Sequence, residues 1–180
     1  MKKQVLFISQ TALMLALLIV MQAATRSMSQ FVTGALVNMV LLVSTFIVGL
    51  SGGLIVALAS PLLAFMLGMG PMFVQIIVFV ALGNAVLVST AWLLAHKNMG
   101  SNELKDKAKT ALSLVAAAAL KTLFLWVGLV KVALPLIPGL KEPQIAVISV
   151  SFSWPQLITG LLGGCLALLI IPVIKRANKR

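Results

Sequence analysis

Lys121 is the residue best placed to do chemistry in this chain. It stands alone as a charge in the apolar stretch 110–130. That is about eleven residues into a helix, near mid-depth for a membrane helix rising 1.5 Å per residue. A charge at that depth costs roughly 3 kcal/mol on insertion scales. The three acids are Glu103, Asp106 and Glu142, and none falls in an apolar stretch where it would neutralise the lysine. Two readings stand open: an ammonium facing a ligand in a wet cavity, or a long stem that snorkels to an interface. Other polar side chains at membrane depth are Asn38, Gln75 and Asn84, and Trp154 and Gln156 open the last apolar stretch. Phe124, Leu125 and Gly128 share a helical face with Lys121, and Trp126 is near in sequence. The set reads as a pocket part apolar and part cationic. Trp154 reads equally as an interfacial anchor. Arg26, Lys131 and Lys141 add positive charge on the same side as the pocket, so a substrate with an acidic or strongly electron-rich group is expected.

Much other chemistry is excluded. The chain has no G-x-x-x-x-G-K-[ST] phosphate-binding loop. No acid lies in an apolar stretch to relay protons or bind Na⁺. One His and one Cys, Cys165, leave no intrachain disulfide and no Cys-based metal cluster, so no metal and no cofactor are expected. Gly49-Leu50-Ser51-Gly52 matches the G-x-S-G of intramembrane rhomboid proteases, with His96 as the base it would need. Both residues fall at the ends of apolar stretches rather than at depth, so a Gly/Ser hairpin turn over 50–53 is the better reading. An enzyme is not expected.

The elements that must position these residues are membrane helices. The chain is 61% hydrophobic and 9% charged, against about 25% charged in a soluble domain. Its mean hydropathy is +1.15. Six spans of roughly 20 residues fit, at 5–24, 33–48, 54–67, 72–95, 110–130 and 154–174. The expected fold is therefore an all-α membrane protein, a six-helix bundle over 1–180 as one membrane domain. The basic start and apolar stretch of 5–24 is longer than a leader core and reads as a span. With six spans, both termini and the polar segment 96–109 share one side. That side carries Lys2, Lys3, Lys97, Lys105, Lys107, Lys109, Lys175, Arg176, Lys179 and Arg180, against Arg26, Lys121, Lys131 and Lys141 elsewhere. Ten against four is a positive-inside bias, so both termini are expected in the cytoplasm and the net charge of +11 reports topology rather than nucleic-acid binding. Segment 26–33, short and polar with Gly34 as a hinge, is expected to form an outer lid. Small residues form stripes in span one (Ser9, Ala12, Ala16, Ala23), span three (Gly53, Ala57, Ser60, Ala64, Gly68) and span six (Gly160, Gly163, Gly164, Ala167). Such stripes pack helices closely in lipid, and on an outer helix one also suits docking of another membrane protein.

The chain resembles the S component, the substrate-binding membrane subunit, of energy-coupling factor vitamin transporters. The likeness covers the whole chain: its length, six spans, inside termini and the basic segment after span four. Ala12-x-x-x-Ala16 matches the A-x-x-x-A pattern with which that family docks its transmembrane coupling subunit. Segments 34–38, Gly83-Asn84 and 121–126 are also similar to the family. The resemblance implies a bacterial cytoplasmic-membrane protein that captures a vitamin or related micronutrient from outside. It then docks on the coupling subunit and two ATPases and topples to release the substrate inside. Family sites are built from the first loop and helices four to six. Here those regions hold Arg26, Gln30, Gln75, Asn84, Lys121, Trp126, Trp154 and Gln156, with Asn38 from span two beside them. No signature marks a particular vitamin. The alternative expectation is a non-transporting assembly or scaffold protein, which would keep the small stripes without needing Lys121.

Overall fold

The computed structural model describes residues 2–69, 73–99 and 103–177. Every regular element among them is helical: α1 (Lys2–Ala24), α2 (Gln30–Val48), α3 (Leu50–Met66), α4 (Val74–Ala95), α5 (Leu104–Phe124), α6 (Glu142–Ser151) and α7 (Trp154–Ala177). A π-helical stretch, Leu125–Ala133, and a 3₁₀ turn, Leu134–Leu136, extend α5. Five helical runs are long and apolar enough to cross a membrane: α1, α2, α4, Leu104–Leu136 and Glu142–Ala177. The remaining expected span, 54–67, is α3, a shorter apolar helix of 17 residues. The exterior is apolar, with Leu93, Leu112 and Leu169 each 70% exposed. That surface suits lipid and not water, compatible with a membrane-embedded protein.

Three boundaries differ from the expectation, each for a local reason. The turn after α2 is Gly49 alone, whose φ of +107° favours glycine, and Leu50 already begins α3. Gly52 and Gly53 are helical, and a Cβ at Gly53 would run into Thr45 across the hairpin. The segment 96–109 is partly helical, because α5 starts at Leu104 and takes Lys105, Asp106, Lys107 and Lys109 into its first turns. Asp106 in the first turn suits the positive end of the helix dipole. The segment 131–153 between the last two expected spans, with Pro135, Pro138 and Pro143, contains α6. Pro143 lies in its first turn, where a missing N–H costs nothing. The Gln144 side chain also accepts the Lys141 N–H at 3.0 Å. Met72, which opens the expected span 72–95, and Lys179 and Arg180 of the basic end lie outside the described residues.

α2 is the central helix and packs on α1, α3, α4 and α7. Its closest partner is α7, and the two run parallel: Gly34 meets Thr159 and Gly163 meets Asn38. A Cβ at Gly163 would sit 2.6 Å from Asn38 Cβ and 2.8 Å from the Ala35 carbonyl oxygen, so only glycine admits this approach. α5 runs antiparallel to both α4 and α7, since Ser113 bonds Leu94 while Gly83 meets Leu125, and Gly160 meets Ala118. The core cluster under these contacts includes Leu18, Leu41, Leu42, Val56, Leu87 and Ile171, all nearly inaccessible. The α7 stripe is buried, as is the α3 stripe apart from Gly68. The α1 stripe, Ser9, Ala12, Ala16 and Ala23, is exposed on the outside of the bundle.

Candidate functional site

Lys121 comes from the last turns of α5, and the register of α5 against α2 and α4 sets it between two amides. Its Nζ donates to Asn38 Oδ1 at 2.6 Å and to Asn84 Oδ1 at 2.8 Å. Lys121 is 3% exposed, Asn38 1% and Asn84 2%. The lysine therefore does not snorkel; its head group stays inside the bundle, held by two amide oxygens. Hydrogen bonds to a charged group are worth roughly twice neutral ones, which offsets part of the burial cost.

The network continues toward one end of the bundle. Asn38 Nδ2 donates to Thr159 Oγ1 at 3.4 Å, and the Thr159 hydroxyl donates to the Gln156 carbonyl at 3.1 Å. The side-chain amides of Gln156 and Gln30 both donate to the Ser151 carbonyl, at 3.1 and 2.8 Å. This ties the start of α2 to the break between α6 and α7. The Thr159 bond also fixes which end of the Asn38 amide faces Lys121.

Lys121, Asn38 and Asn84 line a cavity of about 190 Å³. Gln30 and Gln156 line it too, with Thr33, Gly34 and Val37 of α2. α1 adds Gln22, α3 adds Ser60 and Pro61, α4 adds Val80, and Phe152 comes from the α6–α7 break. Two of these residues carry a buried oxygen, Gln22 Oε1 and Ser60 Oγ, that no group hydrogen-bonds among the described residues. Buried polar atoms are nearly always partnered, so such orphans mark places where a ligand or water belongs.

Of the nine substrate-site residues expected from sequence, five meet here: Gln30, Asn38, Asn84, Lys121 and Gln156. Arg26, Gln75, Trp126 and Trp154 are not among the lining residues. Arg26 and Gln75 are exposed. Trp126 and Trp154 line a separate, shallow apolar groove with Leu123 and Leu157. Lys131 Nζ sits 5.1 Å from the Trp126 ring centroid, a cation–π contact, and Trp154 lies 5.8 Å from Phe31. Phe124, expected to wall the pocket, instead packs on Phe79 at 6.3 Å, and Phe152 supplies the cavity's ring. Sequence reasoning missed Gln22, Ser60, Phe152 and Thr159. Ser60 was legible only as one member of a packing stripe. Gln22, at the end of an apolar run, carried the one recoverable signal, an amide where lipid would be.

The segment expected as a lid, 26–33, is loop only in part. Gln30 to Thr33 form the first turn of α2, leaving Thr25–Ser29 as the connection, and Thr33 Oγ1 donates to the Thr25 carbonyl at 2.9 Å. His96, the base that a rhomboid-like site would need, has its Nδ1 2.8 Å from the Trp92 carbonyl and its ring stacked on Trp92. Among the described residues no group of three or more His, Cys, Asp or Glu could hold a metal ion. No family model, curated protein or solved structure matches this chain. Its class is therefore set by geometry alone: an all-helical, apolar-surfaced bundle with a small polar cavity around a buried lysine.

Proposed function

We propose that the chain is the substrate-binding membrane subunit of an ATP-driven importer of the energy-coupling factor type. In this reading α3 also crosses the membrane, which makes six spans, and both termini are cytoplasmic. The cavity captures a small, vitamin-like molecule from outside, and the α1–α2 connection covers it. The observation that carries the reading is Lys121, buried among amides on a ligand-sized cavity. Ionisable groups at membrane depth face the bundle interior and mark functional sites, substrate and ion pathways among them. The chain has no phosphate-binding loop, so energy would come from partners: a coupling subunit and two ATPases. The exposed Ala12 and Ala16 of α1 supply a small-residue face for the coupling subunit. No enzymatic step is assigned.

A native mass spectrum of the protein purified in mild detergent tests capture directly. The expected result is a stoichiometric small molecule released on mild activation. Reconstitution with a coupling subunit and ATPases should then give ATP-dependent uptake of that molecule. A protein that binds no small molecule and supports no uptake would instead be an assembly or scaffold protein.

A further inference from the structure

We infer that the cavity takes a small monocarboxylate, single-ring in bulk, whose carboxylate meets Lys121 and which presents an N–H or O–H donor to the α1–α3 side. The inference rests on reading the cavity as a capture site, and adds the ligand's charge, size and polarity.

Charge comes first. Among the described residues Lys121 is the only charged one lining the cavity; the rest of that lining is amide, hydroxyl, glycine and apolar. An ammonium carries three donors. Two go to Asn38 and Asn84, and the third is accounted for by a ligand oxygen. One positive charge matches one carboxylate. A dianionic phosphate ester would bring a second charge that nothing in the lining neutralises, and a cationic ligand would face Lys121 with no acid to hold it. A zwitterion would leave its own ammonium against neutral groups.

Size and polarity narrow the class. An apolar cavity of about 150 Å³ holds benzene, so 190 Å³ fits a molecule of roughly ten non-hydrogen atoms. Phe152, Val80 and Pro61 offer apolar wall for a ring. Gln22 Oε1 accepts only, so its partner on the ligand must donate; the Ser60 hydroxyl, also in the lining, serves either role.

Calorimetric titration of the wild-type protein in detergent with benzoate, 4-hydroxybenzoate, benzamide, benzamidine and phenyl phosphate tests the charge and donor terms. Native mass spectrometry of the protein as purified identifies any retained ligand. Benzoate should bind roughly tenfold or more tighter than benzamide, and 4-hydroxybenzoate tighter again. Lys121→Met should erase the benzoate–benzamide difference. Ser60→Ala, which removes one oxygen, should shrink the affinity advantage of 4-hydroxybenzoate over benzoate. If these simple probes fail to bind, a retained carboxylate of similar size that Lys121→Met loses supports the inference equally. Benzamide equal to benzoate, preference for benzamidine or phenyl phosphate, or a retained ligand that lacks a carboxylate overturns the ligand class and leaves capture standing. No bound probe and no retained molecule overturns both.

Discussion

Lys121 illustrates how a buried charge is stabilised without a counter-charge. Two amide oxygens hold it, and a third amide-to-hydroxyl bond, Asn38 to Thr159, holds one of them in place. Removing a partner from a buried charge is costly, about 3–5 kcal/mol, because the other group is left uncompensated. Asn38→Leu should therefore lower the thermal unfolding midpoint sharply. The double variant Asn38→Leu/Lys121→Met should recover most of that loss, since the charge is gone as well. Additive losses in this double-mutant cycle would mean that the 2.6 Å bond carries no coupling. The lysine and both asparagines were legible in the sequence as polar residues in apolar runs. Their meeting was not, because it depends on the register of α5 against helices 37 and 83 residues away. Trp126 misled for a simpler reason. Five residues past Lys121 is about 140° around an α-helix, and it faces the outer groove with Trp154 instead.

At the scale of elements, α1 stands apart. Only 11% of its apolar window is buried, against 56% for α2. It touches the bundle through residues such as Thr11 and Leu18 and turns Ala12 and Ala16 outward. Ala16→Trp should leave the unfolding midpoint and ligand affinity within error of wild type while abolishing ATP-dependent uptake in the reconstituted complex. Unimpaired uptake would remove this face from the coupling interface. The connection that follows α1 is five residues, Thr25–Ser29. A maleimide should label Ser29→Cys more slowly once ligand saturates the cavity, and an unchanged rate would mean that the connection is no lid. The helices themselves were largely readable from hydropathy. The short ones were not: α6 hides among prolines that hydropathy reads as loop, and α3 begins four residues early because one glycine suffices for the turn.

At the scale of the whole molecule, the cavity draws a wall from α1, α2, α3, α4, α5 and α7. A ligand there bridges the helices, so it stabilises the fold as a whole. At a hundredfold excess over its Kd the expected gain is about 2.7 kcal/mol, read as a rise in unfolding midpoint that grows with ligand concentration. A midpoint independent of ligand would mean that the folded protein does not bind it preferentially. The single-residue turn at Gly49 has a mechanical consequence. With Gly53 pressed on Thr45, α2 and α3 share one set of degrees of freedom, and neither can swing without the other. α2 is in turn locked to α7 at Gly163. Three of the cavity's walls thus form one rigid chassis. α4 packs on α3 and α5 on α7, while α1 is the least buried of the long helices, so a passage wide enough for a ligand is expected to open by moving α1 or the Phe152 break.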